Sequence, residues 1–157
     1  MKTATLSLGL LVLLVLPLQA DVLRLEIDDM IHPITDEFLE RGLAEAVERN
    51  SAAVLIELRT PGGLETSMRG MVEKILRSKV PVIVWVGPSG ARAASAGFFI
   101  LEAADIAAMA PGTNTGAAHP VALGDKVDDV MKTKMQEDAA AFMRSIAQRR
   151  GRNVEAA

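Results

Sequence analysis

The chain contains no cysteine, and aromatic residues make up only 3% of its 157 positions. The absence of cysteine excludes disulfide bonds, thiol catalysis and zinc–thiolate sites together. The two histidines, His32 and His119, do not have the HExxH spacing of a zinc protease, so the sequence predicts no metal site. With so few aromatic side chains, the core must consist of Ala, Val, Leu, Ile and Met, which suits an α/β protein with close helix–sheet contacts.

Charge of neither sign dominates the sequence. The net charge is -3, and basic and acidic residues are well mixed, so we expect no nucleic-acid partner. The chain has no GxxxxGK[ST] motif, and its Gly62-Gly63 pair does not match GxGxxG, which leaves phosphate binding as a weak alternative. We therefore expect no cofactor. The length predicts a single domain with a core of ordinary size.

The first twenty residues have the pattern of a secretory signal peptide. A short basic start is followed by an apolar run over 6–18 and by the small residue Ala20. We expect cleavage after Ala20 and export across a membrane, so that the mature domain covers 21–157. Leu18 is larger than the residue usually found three positions before a cleavage site, so an uncleaved anchor is the alternative. The apolar run is short for a membrane-spanning helix, which favours cleavage.

Strand-like and helix-like segments alternate along the mature chain. The segments 22–27, 53–58 and 82–86 have strand patterns, and apolar residues recur at helical spacing between them. Thr35 is predicted to cap the first helix and Asn50 to end it. This order predicts right-handed crossovers and a mostly parallel sheet.

Three segments rich in glycine and proline follow successive strands, at 60–63, 87–92 and 110–116. Loops at the carboxyl ends of parallel strands meet at one edge of the sheet, where ligands bind. In the first of them, Gly62 and Gly63 allow the backbone to approach another group closely, because neither has a Cβ. The alternative is a tight turn with no further role.

Ser95 follows the second of these segments and precedes an apolar helical stretch. The pattern places it in the first turn of that helix, where backbone N–H groups lack intrahelical partners. A hydroxyl in that position, flanked by Ala94, Ala96 and Gly97, suits a nucleophile whose product is an oxyanion. The alternative is that these small residues only let the helix pack closely on the sheet.

A serine nucleophile needs a general base, and the sequence offers two candidates. His119 lies near the third loop and needs little tuning of its pKa to act as a base. Lys134 lies at the start of the last amphipathic helix, where Met131 and Met135 could dehydrate it and so favour its neutral form. The residues alone leave both candidates open.

Several segments together resemble the NfeD family of membrane-bound serine proteases. They span most of the mature chain in the family's order: 59–63, 78–84, 90–97, 108–117 and 150–153. The resemblance implies the Clp protease/crotonase-like fold, an α/β fold with a mostly parallel sheet and crossover helices. Arg59 is a departure, since many relatives have Asp at that position.

The resemblance also implies roles for individual residues. Ser95 and Lys134 match the family's catalytic Ser-Lys dyad, and the N–H groups of Gly63 and Ala96 would form the oxyanion hole. Gly62 would belong to the substrate loop. His119 lies about as far after Ser95 as the catalytic histidine lies after the serine in Clp proteases, which keeps it as the alternative base.

By resemblance, the protein is an exported or membrane-associated serine endopeptidase that cleaves apolar, membrane-proximal peptides. A stomatin-like membrane protein is the candidate partner, and a homodimer is expected for the full-length protein. The family normally continues through membrane-spanning helices and a small β-barrel, so we expect this chain to correspond to an N-terminal part of a longer protein. Two alternatives are a crotonase-like enzyme acting on acyl thioesters and a non-catalytic binding or assembly domain.

Overall fold

The computed structural model describes residues 21–120 and 128–156. The predicted signal peptide, 1–20, lies outside the described residues. Within the described ranges, no helix combines the length and the apolar character needed to cross a membrane.

Four strands form one parallel sheet in the order β1-β2-β3-β5. They are β1 (Val22–Asp28), β2 (Ala53–Arg59), β3 (Val82–Val86) and β5 (Ile106–Met109). The central strands β2 and β3 are mostly apolar, as expected for parallel strands that are covered on both faces. At the edge, β1 alternates between the buried residues Leu25 and Ile27 and the exposed residues Arg24 and Glu26. The mostly parallel sheet predicted from the sequence is confirmed.

Helices connect the successive strands of this sheet. They are α1 (Pro33–Glu48), α2 (Glu65–Leu76) and α3 (Ala96–Ala103), followed by α4 (Asp129–Arg149) and a short 3-10 helix (Val154–Ala156). α1 packs on β1 and β2, α2 packs against α1 and α3, and α4 packs on α3. The carboxyl ends of β2 and β3 therefore lead, through their loops, into α2 and α3.

The core contains the aliphatic and methionine side chains that the composition predicts. Its largest fully buried members include Ile31, Leu39, Ile56, Leu58, Met71, Ile75, Ile100 and Ile146. Each such side chain contributes about 1.5–3 kcal/mol through removal from water. The loops at the sheet edge are thus supported by a closely packed core.

A second, two-stranded parallel sheet lies partly within segments that the sequence predicts to be loops. It pairs β4 (Arg92–Ala94) with β6 (Asn114–Gly116). The prediction of simple breaker segments at 87–92 and 110–116 was therefore incomplete. Strands of three residues rich in Ala, Gly and Thr carry no recognisable hydrophobic period, and only their pairing stabilises them.

The start of α1 also differs from the prediction. The helix begins at Pro33, and its N-cap is His32, whose Nδ1 accepts from the Ile34 N–H at 3.2 Å. Thr35 is the third helical residue, and its Oγ1 accepts from the His32 N–H at 3.0 Å. Thr35 thus completes a capping box and is not the cap itself, because Pro33 already has the φ that a first helical residue needs.

The two halves of α4 differ in packing. In the carboxyl half, Met143, Ile146 and Ala147 are buried, and Arg150 donates to the Ala103 carbonyl at 2.6 Å. Most residues of the amino half are exposed. The helix is therefore anchored at its end and only lightly packed where it begins.

Candidate active site

The three glycine-rich segments lie together at the carboxyl edge of the sheet, as predicted. The Thr60 N–H donates to the Arg92 carbonyl at 2.8 Å, and the Ala94 N–H donates to the Thr60 carbonyl at 3.1 Å. The second and third segments are joined by the Gly90 N–H, which donates to the Gly112 carbonyl at 3.1 Å. Backbone hydrogen bonds thus hold the first loop against the strand that leads into Ser95.

Ser95 has an unusual backbone conformation, with φ 53° and ψ -115°. A positive φ is uncommon for any residue other than glycine and marks a strained position. The Ser95 N–H donates to the Gly116 carbonyl at 2.8 Å, and its carbonyl accepts from the Phe98 N–H at 3.0 Å. The sequence places Ser95 in the first turn of α3, but the structure has it one position earlier, as the N-cap. Its half-buried hydroxyl makes no hydrogen bond to any described residue.

The two backbone amides expected to form an oxyanion hole lie beside this serine. Ala96 is the first residue of α3, so its N–H has no intrahelical acceptor. Neither this N–H nor that of Gly63 donates to another group within 21–120 and 128–156. Both residues line the same cavity as Ser95. The structure therefore brings together three of the residues that the sequence singles out.

The glycine turn is held in place by the segment before α1. The Ile31 N–H donates to the Gly62 carbonyl, and the Leu64 N–H donates to the Ile31 carbonyl, both at 2.8 Å. A Cβ at Gly63 would lie 2.0 Å from the Ile31 carbonyl oxygen, so no other residue fits there without moving the backbone. The Ile31 contacts use the backbone groups on either side of the Gly63 N–H, which itself has no acceptor among the described residues.

The cavity at Ser95 has a volume of about 260 Å³. Its walls are mainly apolar, with Leu64, Met68, Phe99, Met135 and Ala139. Two charged residues of α2, Glu65 and Arg69, also line it. The volume is below the roughly 300–1,000 Å³ of a site for a whole small molecule, so it suits a side chain of a larger substrate.

The structure does not bring Lys134 to Ser95. Lys134 is exposed near the start of α4 and is not among the residues that line the cavity. The next residue, Met135, lines the cavity instead. Met131, which was expected to help dehydrate the lysine, is itself 47% exposed. The Ser-Lys contact thus stays a prediction.

His119, the alternative base, is also kept apart from Ser95. Its side chain is exposed and lines a neighbouring cavity of about 660 Å³. Ala118 and Pro120, on either side of it, line both cavities, so this segment forms part of the wall between them. In the part of the chain that the structure describes, neither histidine joins two further His, Asp or Glu side chains in a group that could hold a metal ion.

Sequence reasoning missed the charged side of the cavity. Glu65 and Arg69 lie four positions apart directly after the glycine turn, a spacing that predicts an ion pair on one helix face. Their position in the wall next to Ser95 depends on how α2 packs against α3. Arg69 also contacts Asp138 of α4, and no pattern in the sequence links two residues so far apart.

Residues 21–157 match the family model of NfeD1b, N-terminal domain. The membrane-bound protease PH1510 of Pyrococcus horikoshii is 36% identical over 158 residues, which cover 98% of this chain and 36% of that protein. The membrane protein NfeD1b of Bacillus subtilis is 40% identical over 81 residues, which cover 52% of this chain and 18% of that protein. The chain thus spans about a third or less of the length of these relatives.

Solved structures show the same fold. A variant of the 1510-N membrane-bound stomatin-specific protease, with a lysine replaced by alanine and a substrate peptide bound, has a TM-score of 0.79 and 34% identity. That match covers 87% of this chain and 64% of the other. ClpP1 from Listeria monocytogenes, at 23% identity, has a TM-score of 0.63 and covers 85% of this chain and 75% of the other. The Clp-like fold and the resemblance to NfeD proteins are both confirmed, and this chain belongs to the NfeD1b family through its N-terminal domain.

Proposed function

We propose that this chain is the proteolytic domain of a membrane-associated serine protease, with Ser95 as its nucleophile. The observation that carries the proposal is the shared cavity of Ser95, Gly63 and Ala96. There, a serine with a strained backbone stands at a helix N-terminus and shares its cavity with two residues whose backbone amides have no acceptor among the described residues. The relatives' names support the reaction class, since two of them are called proteases.

The chemistry follows from this placement. The Ser95 hydroxyl attacks a peptide carbonyl, and its proton passes to a general base. The N–H groups of Gly63 and Ala96 hold the oxygen of the tetrahedral intermediate, where negative charge develops. The base then protonates the departing amine, and water releases the acyl group from Ser95.

Lys134 is the base that we favour. Because Lys134 directly precedes Met135, which lines the cavity, a local movement of the first turns of α4 would bring the lysine to the cavity beside Met135 while Asp138 keeps its contact with Arg69. The light packing of the amino half of α4 allows such a movement. One relative's variant, in which a lysine is replaced by alanine, was captured with a substrate peptide, as expected if that lysine takes part in cleavage.

A second variant of that protease supports the pairing with serine. A variant of the same 1510-N protease has a serine replaced by alanine, with a TM-score of 0.78 to this chain. The serine and the lysine replaced in these two variants are 41 positions apart in sequence, two more than Ser95 and Lys134. Gly62, next to Gly63, would then belong to the loop that receives the substrate.

The apolar walls of the cavity favour apolar substrate side chains. We propose apolar, membrane-proximal peptides as substrates and a stomatin-like membrane protein as their source, since a relative of known structure is named stomatin-specific. We also propose that the full-length protein works as a homodimer.

The experiment is labelling of the full-length protein with a fluorophosphonate, which reacts with activated serines, together with cleavage of apolar peptides. We expect one adduct, on Ser95, that is lost in Ser95→Ala. Lys134→Ala should lower both labelling and cleavage by about a hundredfold or more. Lys132→Ala is the matched control, because Lys132 lies on the same helix and pairs with Asp129 at 3.1 Å, and it should change neither.

Other outcomes identify the alternatives. Activity that survives Lys134→Ala and is lost in His119→Ala would transfer the role of base to His119. A protein that hydrolyses acyl thioesters without forming a Ser95 adduct would be a crotonase-like enzyme. A folded protein that binds peptide, leaves it intact and labels at no serine would be a binding or assembly domain.

Export is a separate part of the proposal. We propose that residues 1–20 direct the chain across the cytoplasmic membrane and are then removed. Mass spectrometry of the mature protein should find an N-terminus at Asp21. An N-terminus at Met1 in membrane fractions would instead show that the segment is an uncleaved anchor.

A further inference from the structure

Arg69 of α2 lines the Ser95 cavity and makes three side-chain contacts. Its Nε donates to Glu65 Oε1 at 2.8 Å, and its Nη2 donates to the Asp138 carboxylate on α4. The guanidinium also lies over the ring of Phe142, 4.3 Å from its centroid. A planar guanidinium can make all three contacts at once, whereas a lysine ammonium cannot bridge two carboxylates and stack on a ring in the same way.

These contacts extend to the helix that follows Ser95. Phe142 stacks on Phe99 of α3, with ring centroids 5.9 Å apart and an interplanar angle of 22°. Phe99 lines the cavity, as does Arg69 itself. The three helices around the cavity, α2, α3 and α4, therefore meet at Arg69 and the two stacked rings.

The contact with Asp138 matters because the amino half of α4 has few other ties. Among the described residues, it is the one side-chain hydrogen bond or ion pair that joins 128–141 to another helix. Met135 and Ala139, which flank Asp138 along the helix, form the α4 side of the cavity. Asp138 thus links this wall to Arg69 of α2.

We propose that Arg69 is a positioning residue that fixes the α4 wall of the cavity and so determines which apolar substrate side chains fit beside Ser95. The proposal rests on the proposed function, in which that cavity receives a substrate side chain. Arg69 touches neither the nucleophile nor the amides beside it in any described contact. Its effect passes through Asp138 to Met135 and Ala139.

The expected size of the effect follows from exposure. The Arg69 side chain is 34% exposed and that of Asp138 is 65% exposed, so water and salt weaken their attraction. An exposed ion pair together with a cation–π contact corresponds to a factor of about three to ten in a binding constant. The contact therefore adjusts substrate choice without being required for folding.

The test compares single and double variants in the full-length protein. Arg69→Met keeps the aliphatic stem, and Asp138→Asn keeps the shape of its partner. KM and kcat are measured for a peptide series that differs only in the size of one apolar side chain. Arg41→Met is the matched control. Arg41 pairs with Glu37 at 2.9 Å within α1, as Arg69 pairs with Glu65 within α2, but it has no part in the contact between α2 and α4.

We expect Arg69→Met and Asp138→Asn each to raise KM about threefold to tenfold for the preferred peptide, with kcat within about twofold. Discrimination between small and large side chains should weaken. The double variant should have a KM no higher than that of Arg69→Met. Arg69→Lys should recover only part of the discrimination between small and large side chains. Equal KM values across the series in wild type and both variants, or additive losses in the double variant, would overturn the proposal.

Amide hydrogen exchange gives a readout that needs no activity. In Arg69→Met, exchange should become about threefold to tenfold faster at 129–139 and stay unchanged at 143–149, where α4 is anchored. Unchanged exchange at 129–139 would overturn the positioning role even if Ser95 labels normally. If the proposed function itself were wrong, wild-type protein would form no Ser95 adduct. That outcome can be told apart from unchanged hydrogen exchange in Arg69→Met.

Discussion

Gly62 lies directly against the side chain of Ser95. A Cβ built at Gly62 would come 2.7 Å from Ser95 Cβ and 3.2 Å from its Oγ. Gly62 also has a φ of +118°, a conformation that residues with a side chain rarely adopt. The turn that carries the Gly63 amide and the turn that carries Ser95 therefore touch because residue 62 has no side chain.

We expect Gly62→Ala to lower the rate of Ser95 labelling at least tenfold and to destabilise the fold by about 2 kcal/mol. Its methyl group would push on Ser95 while the backbone is strained. Gly90→Ala separates the two effects, because Gly90 has a φ of +87° with nothing within 4 Å of a built Cβ. It should cost about 1 kcal/mol and leave labelling intact. Urea unfolding and labelling rates check both, and equal labelling losses in the two variants would contradict the expectation.

The backbone of Ser95 predicts a difference in stability between two variants at this position. Because its φ is 53° and its ψ is -115°, a residue with a Cβ is strained there, and glycine is not. Ser95→Gly should therefore be more stable than Ser95→Ala by about 1–2 kcal/mol in urea unfolding. Exposed Ser89, which has no positive φ, should show the opposite order. Equal stabilities of the two Ser95 variants would mean that the position carries no strain.

Lys74 ties α2 to α1 and predicts a dependence of stability on pH. Its Nζ donates to Asp36 Oδ1 at 2.7 Å and lies 3.1 Å from Glu40 Oε2. Partial burial by itself lowers the pKa of Lys74, but the hydrogen bonds to Asp36 and Glu40 outweigh it and raise the pKa above its usual 10.5. Lys74→Met should cost about 1 kcal/mol at pH 7.

Because the pKa of Lys74 is higher in the folded state, the stabilisation is fully present below pH 10.5 and is lost as the pH rises through the folded value. Urea unfolding at pH 7, 9 and 11.5 should show a constant difference between wild type and Lys74→Met at the two lower values and a smaller one at the highest. Lys79→Met is the control, since exposed Lys79 forms no ion pair with a described residue. A difference that grows with pH would reverse the assigned sign.

Arg150 anchors the carboxyl end of α4. It donates to the carbonyls of Ala103 at 2.6 Å and Ile75 at 3.4 Å and contacts the Asp105 carboxylate, and its side chain is only 15% exposed. Arg150→Met should destabilise the protein by about 2–4 kcal/mol, since it leaves partly buried acceptors without donors. Arg149 is exposed and makes a single hydrogen bond, to the Leu76 carbonyl at 3.1 Å. Arg149→Met should therefore lower the free energy of unfolding by less than about 1 kcal/mol. Urea midpoints compare the two variants directly.

The larger elements could be predicted because their signals are local. Apolar runs at 53–58 and 82–86, each bounded by turn residues, are sufficient to indicate central parallel strands. The position of three loops at one edge then follows from the direction of those strands. The start of α1 was misplaced because His32 caps it through a ring nitrogen, which is not among the usual capping groups.

The sequence by itself determined the strand–helix order, the family, and the short segments that contain Gly63, Ser95 and Ala96. Each of these follows from neighbouring residues or from the direction of a strand. Only the tertiary structure decided that β4 pairs with β6, that Arg69 contacts Asp138, and that Met135 and not Lys134 lines the Ser95 cavity. The physical reason is that these features depend on how one element is rotated and packed against another. That rotation depends on the whole core, whereas a pattern along the chain specifies only the face of each helix that is apolar.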